Sequence, residues 1–429
     1  MSEDKFDAII VGAGIAGSVA AYVLAKAGAN VVVIERGNFA GSKNMTGGRL
    51  YAHSLEKIMP GFAGKAPLER KVIKERVSFL TEDSGVTLDY TGFRAQMPHE
   101  ESYTVLRSPF DRWLMEQAEA AGAQWIPGTR VDEVITEDGK VVGVQADGES
   151  LEANVVILAD GVNSLLGEKL GMVKPIKANA AAVGVKELLE LHKDKIQNRF
   201  NLKDHEGACW LFAGFPSNGK MGGGFLYTNQ SSLSLGVVCG LQHIESSSKT
   251  VPQMMEDFKN HPLIRPLIEG AQLREYSAHV VPEAGINMLP ELVRDGVIII
   301  GDAAGLCLNL GYTIRGMDLA VTSGEAAALT VLHAKERNDF SKTGLSSYQT
   351  LLDESYLMKD LKQYQKLPLF LENPRIFNHY PKMAADFMAD LFTVDGTPAK
   401  PLYQKVMSCC QKGGYLNLIK DAICGVRAI

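Results

Sequence analysis

FDAIIVGAGIAG, residues 6–17, sets a run of apolar, largely β-branched residues directly against Gly12, Gly14 and Gly17. A strand buried on both faces reads this way, as a continuous hydrophobic run rather than an alternating one. SVAAYVLAKAGA follows at 18–29 with helical spacing, since Val19, Val23 and Leu24 can share a face. NVVVIE at 30–35 is a second buried strand with Glu35 at its tip. Strand, glycine turn, helix, strand and terminal acid together form the G-x-G-x-x-G dinucleotide signature. Gly12 permits the tight turn, and Gly14 lets the backbone approach a pyrophosphate at the positive end of the helix. Gly17 lets helix and strand pack closely, and Glu35 stands where an acid accepts the adenosine ribose hydroxyls.

The buried-strand pattern returns in GVIIIGDAAG, 296–305, again with an acid, Asp302, at its tip. TIRGMDLAVTSGEAAALTVLHAKE, 313–336, follows as a long helix rich in small residues, expected to begin near Thr313. One elongated ligand can use both acidic tips. The first motif alone leaves NAD and FAD open, but FAD has the length and the two unlike ends. Glu35 then suits the adenosine ribose, and Asp302 suits a ribityl hydroxyl or a pyrophosphate-bound water. The helix would aim backbone N–H groups at the flavin N1–C2=O edge, where reduced flavin is anionic, and so raise its potential. The competing reading of Asp302 is a helix N-cap.

Between these ends the pattern changes several times. RGNFAGSKNMTGGRL, 36–50, is polar and glycine-rich, and its Arg49 is either a phosphate contact or an exposed loop arginine. The stretch 72–104 carries strand-like pieces and reads as an insertion. LRSPFDRWLMEQAEAAGA, 106–123, predicts a helix capped by Ser108 with Pro109 in its first turn. Arg107 at that junction is a candidate cofactor contact, and Arg112 a structural residue. Asp-Gly hairpin signals in EDGK and ADGE predict a small antiparallel sheet hung on a parallel one, ending in NVVILADG with Asp160 and Gly161. From about 175 to 285, GVKELLEL, GACWLFAGF, GGGFLYT and SLSLGVVCGL predict strands of a broad antiparallel sheet, with a helical stretch over 251–271. His279 and Glu283, before the last parallel strand, are candidates to line the flavin face and manage substrate protons. A core histidine and a surface glutamate are the plainer readings. Lys186 and Glu187 are weaker candidates.

Composition narrows the classes. The 429 residues exceed what one hydrophobic core usually serves, and net charge −6 leaves no basic footprint for nucleic acid. Six cysteines stand scattered, without Cys-x-x-Cys spacing, and no metal site is expected. No run of about 18 apolar residues predicts a membrane span. The chain starts without the basic region of a signal peptide, so a cytoplasmic location is expected, with room for peripheral contact at the inner face of the membrane. LPLFLENPRIF, 367–377, is the candidate contact, against the alternative of a buried core.

GAGIAG…VIERG, ADGVNS and GVIIIGDAAG together resemble the glutathione-reductase-type FAD fold, in the branch of aromatic hydroxylases and geranylgeranyl reductases. More narrowly, KNMTGGRLYAHSLE, GGGFLYT…LSLGVVCGL and YSAHVVPEAGINMLPEL resemble the electron transfer flavoprotein–quinone oxidoreductase family, in its Fix-complex flavoprotein type, over nearly the whole chain. The resemblance implies an α/β fold: a Rossmann-like FAD-binding domain, an interleaved antiparallel-sheet substrate domain and a helical C-terminal region. The corresponding boundaries are 1–71, 106–175 and 286–337 for the FAD-binding parts. They are 72–105 and 176–285 for the substrate parts, and 338–429 for the helical region. It implies FAD contacts at Gly12, Gly14, Gly17, Glu35, Arg107, Asp302 and the Gly311, Tyr312 and Thr313 backbone. The full expected set adds Ala13, Ala16, Arg36, Arg49, Val131, Asp160, Gly161 and Gly301.

The resemblance implies electron intake from an electron transfer flavoprotein and delivery to a quinone. Longer family members end in a segment whose four cysteines hold a [4Fe–4S] cluster, and VMSCCQKGGYLNLIKDAICGVRAI, 406–429, lacks that spacing. A separate ferredoxin-like [4Fe–4S] partner is therefore expected. GDAAG departs toward the hydroxylase pattern. Two alternatives stay open: an NAD(P)H-dependent flavin monooxygenase or prenyl-chain reductase, and a non-catalytic FAD-bound subunit of a flavoprotein complex.

Overall fold

The computed structural model describes residues 5–43, 47–94, 96–283 and 285–428. Residues 44–46 of the KNMTGGRL run and Ala284 of the PEAG run lie outside the described residues.

Strand Phe6–Val11 is the centre of a parallel sheet. It pairs with Val31–Glu35 on one side and Glu149–Leu158 on the other, and Gln124–Pro127 and Val297–Ile299 lie outside these. Ile9, Ile10, Val32, Val33, Val156 and Ile298 are fully buried, which explains the unbroken apolar runs. Gln124–Pro127 gives no such run. It has four residues, ends in proline and sits at the edge, where a missing N–H costs least. The predicted antiparallel meander is present as Val131–Glu137, Lys140–Ala146 and the first half of Glu149–Leu158.

Helix Ile15–Lys26 packs on both Arg107–Ala120 and Met317–Arg337. A Cβ at Gly17 would stand 2.0 Å from the Gly12 carbonyl oxygen, and one at Gly324 would stand 2.4 Å from that of Ala16. Backbones approach there more closely than any side chain allows. Two helix starts differ from expectation. Arg107–Ala120 is preceded by Leu106 with no side-chain cap, so Ser108 does not cap it, and Arg107 is its first residue. The long helix begins at Met317 rather than near Thr313, because Leu308–Asn309 and Ile314–Arg315 pair as a small hairpin and hold Thr313 in its turn.

A second sheet has nine strands. In order they are Gln272–Pro282, Ala181–Glu190, Ser232–Gly240, Gly222–Thr228, Glu206–Gly214, Leu68–Leu80, Ser102–Leu106 and Gly47–Tyr51, with Gly85–Thr91 paired to Leu68–Leu80. Its pairings are antiparallel except that Glu206–Gly214 runs parallel to Leu68–Leu80, two strands brought together from distant parts of the chain. Side chains alternate between its faces. Val185, Leu226, Leu235, Val237 and Phe212 join a core closed by helix Val251–Asn260 through Met254, Met255 and Phe258. The other face is turned toward the parallel sheet. Beyond residue 340 the chain is helical: Ser347–Glu354, Tyr356–Gln363, Leu367–Leu371, His379–Phe392, Leu402–Gly413 and Tyr415–Ala428. In the LPLFLENPRIF stretch Leu367 is buried while Leu369 is 78% exposed. Among the described residues no helix is long and apolar enough to cross a membrane.

Candidate functional site

A cavity of about 1010 Å³ runs between the two sheets. At one end its wall is the glycine turn, with Gly12, Gly14 and Ala16, and the strand end Glu35–Arg36. Gly14 caps helix Ile15–Lys26 without any side-chain acceptor, and the first turn carries no acidic residue. The helix's free N–H groups and positive end are thus left for a ligand. Glu35 braces the turn: Oε2 accepts from the Ala13 N–H at 2.9 Å and Oε1 from the Gly37 N–H at 2.7 Å. Val131, Asp160 and Gly161 complete this end. Burial pushes the Asp160 acid up, and its Oδ1 has no hydrogen-bond partner among the described residues.

At the other end the wall is Asp302, Asn309, Gly311, Tyr312, Arg315 and Gly316. Gly316 starts helix Met317–Arg337, again with no side-chain cap. Two helix N-termini therefore meet one cavity. Asp302 lies in the short turn Gly301–Ala304 and is not an N-cap. Among the described residues its carboxylate has no hydrogen-bonded partner. Burial pushes its acid up, with Arg107, His279 and Lys186 pulling against that. Arg107 is held by Asp111, Nε to Oδ1 at 2.9 Å and Nη2 to Oδ2 at 2.9 Å. Burial works against the Arg107 charge, yet Asp111 outweighs it and leaves the guanidinium more firmly protonated than usual.

The floor is the open face of the second sheet. Antiparallel partners opposite each other share a face, which puts Lys186 beside Ser277 and Gly184 beside His279. Val77, Phe79, Leu211, Ala213, Phe225, Tyr227 and Val238 fill the rest of it, a mainly apolar surface with Lys186 and His279 at one side. Lys186 is pushed down to about 8 by burial first and Arg107 second, with Asp302 opposing. His279 is lowered by burial and by Lys186. Glu283 also lines the cavity and is pushed up to about 7 by burial, against a bond from Asn309.

The structure thus brings together Gly12, Gly14, Ala16, Glu35, Arg36, Arg49, Arg107, Val131, Asp160, Gly161, Asp302, Gly311 and Tyr312 in one wall, with His279, Glu283 and Lys186. Ala13, Gly17, Gly301 and Thr313 stand behind it. Ala13 acts through its N–H on Glu35, and the Gly301 N–H donates to Ser323 Oγ at 3.0 Å. Arg49 is neither loose nor exposed. It bonds Glu75 at 2.9 Å and Ser102 at 3.1 Å and lies over the Tyr51 ring at 4.5 Å. Arg112 stacks on Phe39 at 4.7 Å, a structural role. Glu187 points to the opposite sheet face and pairs with Lys259 at 3.0 Å. Tyr227, Asn309 and Arg315 were not singled out by sequence. The last two lie in the NLGYTIRG run, whose glycines were its only signal.

Residues 5–308 match the model of an FAD binding domain, and residues 367–429 match that of the ETF-QO/FixC family C-terminal domain. Over all of both chains, the sequence is 62% identical to Protein FixC of Salmonella typhi. It is 60% identical, again over all of both chains, to "Probable electron transfer flavoprotein-quinone oxidoreductase YdiS" of Escherichia coli K12. The chain belongs to the ETF-QO/FixC family. It is an FAD-binding oxidoreductase. Solved structures show the same fold. One is a geranylgeranyl bacteriochlorophyll reductase-like protein from Thermoplasma acidophilum, with TM-score 0.73, 20% identity, and 97% of this chain and 99% of that one covered. Another is the flavin-dependent brominase Bmp2, with TM-score 0.65, 17% identity, and 95% and 99% covered.

The cavity of this family member fits its cofactor. A Cβ on Gly14, Gly161, Gly311 or Gly316 would meet no protein atom within 4 Å, so these backbones form an open cradle along the wall. FAD supplies reversible two-electron chemistry when bound. The chain's own residues supply uncapped helix N-termini, an oriented acid at one end, and a cation cluster beside an apolar floor.

Proposed function

We propose that this oxidoreductase takes electrons from an electron transfer flavoprotein and passes them toward a quinone, with a separate ferredoxin-like [4Fe–4S] protein as partner. The observation that carries the reading is the floor of the cavity. Val77, Phe79, Leu211, Ala213, Phe225 and Val238 present an apolar surface beside Lys186 and His279, which suits a flat ring bearing polar oxygens. The printed name of the 60%-identical Escherichia coli relative supports the donor and acceptor. The missing cysteine spacing of the tail supports a separate cluster protein.

In this reading Glu35 holds the adenosine ribose. The N-terminus of helix Ile15–Lys26 faces the pyrophosphate, and Asp302 takes a ribityl hydroxyl. The N-terminus of helix Met317–Arg337 favours negative charge at the flavin's pyrimidine edge. Arg107, braced by Asp111, favours the charged form of Asp302 against the burial that pushes its acid up.

The test is anaerobic. Reduced electron transfer flavoprotein is mixed with the FAD-loaded chain, with and without a small ferredoxin-like protein, and a water-soluble quinone is added. Flavin bleaching followed by quinol formation is expected. Rapid bleaching by NADPH, with none by the flavoprotein, would replace this reading with the monooxygenase or prenyl-reductase one. No turnover with any donor and quinone would leave an FAD-bound scaffold.

A further inference from the structure

Several carboxylates near the cavity are paired with cations, whereas Glu35 bonds backbone N–H groups and Asp160 leaves its Oδ1 without a partner among the described residues. Asp111 has Arg107, Glu75 has Arg49, and Asp318 has Arg315. Asp302 sits in the field of Arg107 and Lys186. Glu283 has a neutral partner: its Oε2 accepts from Asn309 Nδ2 at 3.1 Å, and no ion pair reaches it among the described residues. Its own N–H is tied to the Ala180 carbonyl at 2.9 Å, which fixes the backbone from which the acid projects.

Its position is equally particular. Glu283 and Asn309 line the large cavity and also a second one of about 20 Å³. The small cavity runs under the C-terminal helices, walled by Ile286, Leu361, Tyr364, Gln365 and Pro368. A space of roughly 10–15 Å³ admits one water when polar groups are there to bind it. Glu283, Asn309, Tyr364 and Gln365 supply such groups. Glu283 thus lines both the flavin-side cavity and a water-sized space beside it.

The chemistry of the proposed reaction asks for an acid there. A quinone becomes a quinol by gaining two electrons and two protons. Reduced flavin, when bound, would supply both electrons and one proton, so one further proton must come from elsewhere. We propose that Glu283 is the proton-relay residue that supplies it. Its O–H bond breaks as an O–H bond forms on the quinone oxygen. The resulting carboxylate is then reprotonated from solvent by way of the small cavity. The role rests on the quinone reading given above.

Burial supports the role by pushing Glu283 up to about 7, where a group can both give and regain a proton near neutral pH. Other titratable groups face it. The Cys307 thiol, on the hairpin side, is held protonated by burial. Tyr364 lies across the small cavity, and His279, Lys186, Asp302 and Arg315 line the large one.

The experiment uses FAD-loaded wild type, Glu283→Gln and Glu283→Asp. Each is reduced anaerobically, then oxidised in single turnover by a water-soluble ubiquinone analogue at pH 6 to 9. Ferricenium, an acceptor that takes up no proton, is run in parallel. The infrared carboxyl band is titrated in the same samples. Expected for Glu283→Gln is a fall of roughly 100-fold in the quinone rate at neutral pH. The break near pH 7 and one infrared band are lost, and the ferricenium rate stays within about twofold of wild type. Glu283→Asp recovers part of the quinone rate. A quinone rate in Glu283→Gln within threefold of wild type overturns the role, and so does an equal fall with ferricenium. Wild type that ferricenium oxidises but no quinone does would overturn the acceptor reading and this role with it. Failure of the relay alone is told apart because wild-type quinone turnover stays intact.

Discussion

Replacing Glu35 with Gln tests the ligand geometry most directly. An ionised carboxylate offers about four lone-pair sites. In this chain two are taken by backbone N–H groups, from Ala13 at 2.9 Å and Gly37 at 2.7 Å. Those bonds brace the glycine turn, and in the proposed reading the remaining sites take the ribose hydroxyls. Gln keeps one oxygen and puts an NH₂ in place of the other. That NH₂ confronts either Ala13 N–H or Gly37 N–H, donor against donor, and one backbone bond is lost with or without ligand. The loss specific to the complex is one hydrogen bond from a ribose hydroxyl to a charged acceptor, worth about 1.5–3 kcal/mol. At about 1.4 kcal/mol per decade, FAD affinity should fall roughly 10- to 150-fold. The assay is titration of the apo chain with FAD by fluorescence quenching, with the thermal midpoint of the apo chain recorded for both forms. A modest drop in apo midpoint is expected from the backbone bond alone. An FAD dissociation constant within threefold of wild type would refute the reasoning, because the acid would then brace the turn without touching the ligand.

Two further outcomes are expected. Gly324→Ala gains about 1 kcal/mol of helix propensity but places a Cβ 2.4 Å from the Ala16 carbonyl oxygen, and overpacking costs roughly 1–3 kcal/mol. The atoms that Cβ meets, in Ala16 and Ala20, all belong to backbone, so the loss should prevail. Thermal unfolding should show a lower midpoint than wild type, while Gly64→Ala, where a Cβ meets nothing within 4 Å, should not fall. The second concerns Lys186, which burial, then Arg107, push from 10.5 down to about 8. Between those values the unfolded chain holds a proton that the folded chain has released, so stability of the apo protein should climb with pH across that window. Lys186→Met should flatten that climb, by at most about 3 kcal/mol. Urea unfolding at pH 7.5 and 10 checks it, and parallel profiles for the two proteins would refute it.

The sequence made the parallel sheet readable because burial on both faces leaves nearly unbroken apolar runs in its central strands, and because the turn chemistry of Gly12 and Gly17 admits few alternatives. The same logic fails at the edges. Gln124–Pro127 has one covered side and four residues, and Gln272–Pro282 carries Arg274, Glu275 and His279 along an edge, so neither shows a core-like run. The start of the long helix was misplaced because Ile314 and Arg315 fit a helical pattern as readily as the hairpin that Leu308 and Asn309 impose on them. Such pairing is a tertiary choice between two locally acceptable states. Lys186 and Glu187 show the limit for sites: adjacent residues of opposite charge face opposite ways, one to the cavity and the other to Lys259. Only the strand register decides which, and register depends on partners far along the chain.

The contact between Gly324 and Ala16 links the two ends of the cavity mechanically. Helix Ile15–Lys26 begins at the glycine turn, and helix Met317–Arg337 begins at Gly316, beside Gly311 and Tyr312. A glycine of the second helix rests on the backbone of the first, so the two pack at backbone distance. Both positive ends line one cavity. In the proposed reading, a dinucleotide with negative charge at its centre and developing negative charge at one terminus would meet both ends. Polar groups fixed before charge appears stabilise it more than groups that must turn toward it. The flavin's reduced state should thus be set by backbone that side-chain substitution hardly reaches. Side chains such as Lys186, His279 and Glu283, on the sheet side, remain free to differ with the acceptor.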